Sequence, residues 1–144
     1  MDGNRTIGYT AGAFDLFHIG HLNLLRRSRE SCDHLIVGVS TDELIRRTKG
    51  HEPVIPFAER LEIVSSVRYV DQVVAQEDLD KVEAWRRLRY HRLFSGDDWK
   101  GNPRWAGYEE ELRKVGVEVV YFPYTRSTSS TLLQSVLSAI SKGR

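Results

Sequence analysis

Residues 6–40 read TIGYTAGAFDLFHIGHLNLLRRSRESCDHLIVGVS, and this stretch decides the fold. Residues 34–40, His-Leu-Ile-Val-Gly-Val-Ser, are almost continuously apolar, as in a strand buried on both faces. Residues 6–11 contain Ile7 and Tyr9 and form a shorter strand. Between them, residues 18–29 predict a helix with Ile19, Leu22 and Leu25 on its apolar stripe and Leu24 off it. Strand, helix and strand in that order imply parallel pairing.

The alternation continues along the chain. Thr41-Asp42-Glu43 opens a short helix, and residues 49–56, with Gly50, Pro53 and Pro56, are a loop. Residues 57–66 read as a helix, 70–75 as a strand and 80–90 as a helix. A short strand at 93–95 ends at Gly96, and a helix at 108–115 is stopped by Gly116. A strand at 117–122 and a helix at 130–140, capped by Ser129 or Ser130, complete the pattern. The expectation is one α/β domain over residues 1–144, with a Rossmann-like, doubly wound parallel sheet. Ligands of such sheets sit beyond the carboxyl ends of the strands. The candidate segments are therefore 12–21, 41–49, 96–101 and 123–131.

Composition removes several alternatives. Aromatics at 10% and the absence of a long polar tract exclude disorder. The single cysteine, Cys32, excludes an internal disulfide framework and points to a reducing compartment. No segment reaches the ~20 apolar residues of a membrane span. Residues 1–5 lack an apolar signal core, so the expected location is the cytoplasm, with no membrane partner. A net charge of +1 argues against a strongly basic nucleic-acid binder. The 16 Arg outnumber the 5 Lys, and arginine forks suit both phosphate and ordinary surfaces. Residues 85–92 mix arginines with aromatics, but Val82, Trp85 and Leu88 form an apolar stripe, so this is an amphipathic helix rather than a nucleic-acid surface.

The chemistry concentrates after the first strand, in Gly12-Ala13-Phe14-Asp15-Leu16-Phe17-His18-Ile19-Gly20-His21. His18 and His21, three apart at a helix start, share one face. The free N–H groups and partial positive charge of the helix start make an anion site, to which two imidazoles add donors. Gly20 leaves room for a bulky ligand against the backbone. Zinc would need a third ligand, and the lone cysteine lies outside the segment, so no protein metal site is expected. Lys49, beside Gly50, is the only lysine in the first 80 residues and can close over an anionic ligand.

With these residues in view, the chain resembles the cytidylyltransferase branch of the nucleotidyltransferase superfamily, whose members carry His-x-Gly-His after Gly-Thr-Phe-Asp. It is most similar to the glycerol-3-phosphate cytidylyltransferases. Ser40-Thr41-Asp42-Glu43, Arg68-Tyr69-Val70-Asp71 and Gly96-Asp97-Asp98-Trp99-Lys100-Gly101 carry the rest of the likeness, from Ile7 to about Leu137. The resemblance implies transfer of CMP from CTP to a small phosphorylated acceptor, with pyrophosphate released. It implies catalytic roles for His18, His21, Lys49 and Arg68. It assigns Gly12, Ala13, Phe14, Asp15, Gly20, Gly96, Asp98 and Trp99 to the nucleotide, with Thr125, Ser129, Ser130 and Thr131 at the phosphates. It places Arg60 at the acceptor phosphate, and Arg126 stands in for a family arginine there. Mg²⁺ carried by the triphosphate, and a homodimer, follow from the same likeness.

Three departures leave the acceptor and the base open. Ala13 stands where the family has threonine, Tyr124 where it has arginine, and Ser127-Thr128 where it has Gly-Ile. Glycerol 3-phosphate, another polyol phosphate and a phosphonate all suit the site as acceptors. The alternatives are an ATP-dependent adenylyltransferase, such as an FMN adenylyltransferase, and a nucleotide-binding protein without turnover.

Overall fold

The computed structural model describes residues 5–123 and 130–142. Five strands form one parallel sheet: β1 (Ile7–Gly12), β2 (His34–Ser40), β3 (Gln72–Gln76), β4 (Arg92–Gly96) and β5 (Glu118–Phe122), in the order β3-β2-β1-β4-β5. Six helices connect or follow them: α1 (Ile19–Glu30), α2 (Asp42–Lys49), α3 (Phe57–Ser65), α4 (Lys81–Leu88), α5 (Pro103–Lys114) and α6 (Ser130–Lys142). The doubly wound expectation holds. Chain order reverses at β1, where one crossover runs to β2 and a later one returns to β4.

The apolar run at residues 34–40 is β2 itself, paired to β1 on one side and β3 on the other. Its alternate residues serve two cores. Leu35, Val37 and Val39 join Leu25, Val64 and Phe94 on the face of α1 and α3. Ile36 joins Tyr9, Ala84, Tyr90, Leu93, Trp105 and Leu112 on the face of α4 and α5. Val82, Trp85 and Leu88 pack on this second core, as their spacing predicts.

Helix ends follow local chemistry. Thr41 Oγ1 accepts the Leu44 N–H at 3.1 Å to start α2, and Gly50, at φ 76°, ends it in a left-handed turn. Asp80 accepts the N–H groups of Val82 and Glu83 to start α4. Two expectations need correction. The fifth helix starts at Pro103, well before residue 108, because Asn102 caps it through the N–H groups of Arg104 and Trp105 and proline suits its first position. On α1, Leu25 is buried as expected, but Ile19 is 47% exposed and the inward stripe continues at Ser28. Among the described residues, no helix is long and apolar enough to cross a membrane.

Gly38, in β2, faces the stacked Tyr9–Tyr90 pair, whose rings lie 5.0 Å apart. A Cβ there would overlap Tyr9 Oη and sit 3.2 Å from Ala11 Cβ. Tyr9 is fully packed and has little room to yield. Gly38→Ala is therefore expected to cost about 1–3 kcal/mol, read from the urea unfolding midpoint.

Candidate active site

The loop from β1 to α1 is built around two residues at positive φ, Phe14 (52°) and Leu16 (53°). Non-glycine residues avoid this region, and strain of this kind persists only where the surroundings fix it. Here they do. Phe14 is buried against Phe17 and the His21 ring. Asp15 is 3% exposed, and its carboxylate accepts the Val54 and Ile55 N–H groups at 2.8 and 2.9 Å. The chain then emerges at His18, the N-cap of α1.

The two histidines cap the helix reciprocally. His18 Nδ1 accepts the Gly20 N–H at 3.0 Å, and His21 Nδ1 accepts the His18 N–H at 3.1 Å. A ring nitrogen that accepts from a backbone N–H carries no proton. In the neutral imidazole the proton is then on Nε2. Both rings thus present Nε2–H donors, with centroids 4.0 Å apart. Burial lowers the His18 pKa. Burial first, then His18, push His21 down to about 3, with an upward pull from Asp15 and a lesser downward push from Lys49. The pair is neutral at pH 7 and offers hydrogen-bond donors rather than charge. The first turn of α1 contains no acidic residue, so its N-terminal dipole is left for a ligand.

These groups line a cavity of about 590 Å³ at the carboxyl ends of the strands, within the usual range for small-molecule sites. The structure brings Gly12, Ala13, Phe14, Asp15, His18, Gly20, His21, Lys49, Gly96, Asp98 and Trp99 to its walls. Lys49, the last residue of α2, is exposed there. Asp98 and Trp99 lie in a short 3-10 turn after β4, and burial raises the Asp98 pKa. Thr125, Arg126 and Ser129 lie outside the described residues, as do the side chains of Ser130 and Thr131, whose backbone opens α6.

Two expected site residues are elsewhere. Arg60 is 1% exposed. Its guanidinium donates to the carbonyls of Ile55, Ala13 and Ser40 and to Asp42 Oδ1, each at 2.7 Å. Four of its five N–H donors are thereby taken, so it holds the walls of the site and does not bind the acceptor. Arg68 stands before β3, beside the N–H that Asp71 donates to Leu35 at the start of β2. It is at the amino end of the sheet, stacked on Tyr69, and does not line the cavity. The catalytic assignment of Arg68 is corrected accordingly.

Several lining residues were not anticipated, among them Leu24, Arg27, His51 and Gln134. Gly20, Leu24 and Arg27 recur at helical spacing, so the place of Leu24 off the apolar stripe and of Gly20 on the ligand side already pointed to this face. Arg27 donates to the Pro123 carbonyl at 3.3 Å. Nothing local marks Gln134, which reaches Asp15 across 119 positions of chain.

Residues 9–140 match the cytidylyltransferase-like family. The chain belongs to that family. It is 33% identical to an FAD synthase of Pyrococcus abyssi over 99% of its own length and 97% of that protein. It is 31% identical to the glycerol-3-phosphate cytidylyltransferase of Bacillus subtilis, over 91% and 96% of the two chains. It is 35% identical to the bifunctional protein HldE of Gluconacetobacter diazotrophicus, over 87% of this chain but 26% of that one. In fold it is similar to a lipopolysaccharide core biosynthesis protein of Thermoplasma volcanium, with a TM-score of 0.71 at 23% identity over 87% and 100% of the chains. The chain is an enzyme of the nucleotidyltransferase type.

The buried neutral His21 ties stability to pH. An unfolded chain protonates His21 below pH 6.5, whereas the folded chain keeps it neutral to about 3. The stabilisation is complete above 6.5 and falls as pH drops toward 3, by up to about 1.4 kcal/mol per pH unit. His21→Asn is expected to flatten that loss, seen as a smaller difference between urea midpoints at pH 4.5 and pH 7.

Proposed function

We propose that this enzyme transfers CMP from CTP to a small phosphorylated acceptor, glycerol 3-phosphate or a similar polyol phosphate or phosphonate, releasing pyrophosphate. The observation that carries the reading is the reciprocal cap, which presents two neutral Nε2–H donors at a helix start in the cavity. An acceptor phosphate is already an anionic nucleophile, so positioning and charge stabilisation do most of the catalysis. The bond from acceptor oxygen to the α-phosphorus forms as the bond to the β-phosphate bridge breaks. His18 and His21 donate to the α-phosphoryl oxygens, where negative charge must be held during the displacement. Lys49 brings the positive charge the neutral imidazoles lack.

Mg²⁺ would neutralise the triphosphate. The donor set fits an ion carried mainly by phosphate and water. Of the cavity carboxylates described, Asp15 already accepts from Val54, Ile55 and Gln134, and Asp98 stands at the edge. Thr125, Ser129, Ser130 and Thr131 belong to the phosphate end in this reading, and Arg126 to the acceptor. A homodimer in the cytoplasm is the assembly and location it implies.

A second reading is favoured by the Pyrococcus abyssi relative, which matches over nearly the whole chain. In it the donor is ATP and the acceptor is FMN, with the same roles for His18 and His21.

Pyrophosphate release with Mg²⁺, comparing CTP and ATP across glycerol 3-phosphate, other polyol phosphates, phosphonates and FMN, separates the two. Release with CTP and a polyol phosphate or phosphonate is the expected result. Release only with ATP and FMN overturns it for the second reading. Nucleotide binding without release from any pair indicates a binding protein. His18→Ala and His21→Ala are each expected to lower turnover by about 10²–10³-fold in the active pair without unfolding the chain. Near-normal turnover in both would remove their assigned roles.

A further inference from the structure

The cavity has α6 on one side and the loop of residues 50–56 on another, and one buried carboxylate joins them. Asp15 Oδ1 accepts from the Ile55 N–H at 2.9 Å. Its Oδ2 accepts from the Val54 N–H at 2.8 Å and from Gln134 Nε2 at 3.1 Å. The carboxylate cannot drift, because the buried Phe14 ring and the positive-φ turn fix its backbone. Helix α6 is held differently. Leu132, Val136, Leu137 and Ile140 are each about half exposed, so this helix buries little apolar surface along that face. A hydrogen bond to a buried carboxylate then matters more to its placement, since bonds to a charged group are the stronger kind.

We propose that Gln134 is a positioning residue of the nucleotide site. Its amide, docked on Asp15, sets the α6 wall against the loop that follows Lys49 and carries His51. Gln134 lines the cavity, so a shift of α6 changes the shape offered to the ligand. The inference deepens the nucleotidyl-transfer reading and rests on it for the ligand. The clasp itself is a property of the free protein and is measured without one.

Two variants of the full chain test it. Gln134→Met keeps the length of the side chain and removes both N–H donors. Gln134→Glu puts a second carboxylate against Asp15. Two carboxylates this close cannot both ionise readily, so the pair takes up a proton as pH falls. The shared proton then makes an O–H···O bond where the amide had donated. The readouts are hydrogen exchange of residues 50–56 and 132–140 in the free protein, and equilibrium binding of CTP and of ATP, at pH 5.5 and pH 8. Each variant is compared with wild type at the same pH.

With Met, exchange in both segments is expected to quicken and nucleotide affinity to fall about tenfold at both pH values. With Glu, the protein should match the Met variant at pH 8 and return toward wild type at pH 5.5. A role in bulk packing alone would not give that pH-dependent recovery. Unchanged exchange in both variants overturns the proposal whatever the nucleotide data show. Quickened exchange with unchanged nucleotide affinity overturns the positioning role alone. A wild type that binds neither nucleotide overturns the nucleotidyl-transfer reading and the role in ligand binding together, even if exchange quickens.

Discussion

One buried guanidinium fixes the geometry on which the rest of the site depends. Arg60 comes from α3 and reaches under the cavity to the ends of β1 and β2, the start of α2 and the loop before α3. Three backbone carbonyls and one carboxylate share its charge. Removing such a group leaves three carbonyls and the partly exposed Asp42 without this donor. Asp15 is its counterpart of opposite sign. The guanidinium gathers carbonyls while the carboxylate gathers N–H groups, and both hold the 50–56 loop, at Ile55 O and at the Val54 and Ile55 N–H groups. The cavity walls are therefore tied together by polar groups that no longer face water.

This arrangement explains how a strained turn persists at the centre of the site. Phe14 and Leu16 occupy a backbone region that costs a non-glycine residue roughly 1–3 kcal/mol. The cost is offset by burying the Phe14 ring and by the bonds to Asp15. The turn delivers His18 to the helix start with its ring already oriented by Gly20 N–H. Phosphate chemistry gains from donors that need no reorganisation at the moment of reaction. Keeping the imidazoles neutral preserves their tautomers, because Nδ1 must keep its lone pair to accept from the backbone.

Much of this was legible in the sequence. The run at residues 34–40 gave its strand to the residue, since a segment buried on both faces has only one reading. His18, His21 and Lys49 were found because segments after strands face the ligand side of a parallel sheet. The same rule contained the correction for Arg68, which precedes its strand and so belongs to the opposite end. Arg60 was misread for a different reason. A sequence shows that an arginine is present but not whether its fork is filled, and that depends on carbonyls from Ala13 to Ile55 meeting in space. Asn102-Pro103 was a readable helix start hidden behind a polar stretch. Gln134 left no local trace, since its partner is at the other end of the chain.

The indole of Trp99 lies on the cavity wall, 46% exposed and stacked on Trp105 at 6.0 Å between ring centroids. Trp85, the remaining tryptophan, packs on the second core under the Arg89 guanidinium and does not line the cavity. The protein thus carries a built-in optical probe. A ligand that enters beside Gly96 and Asp98 changes the solvent around one indole while the other two stay in protein surroundings. Occupancy of the cavity can be followed by intrinsic emission alone, with no label and no turnover.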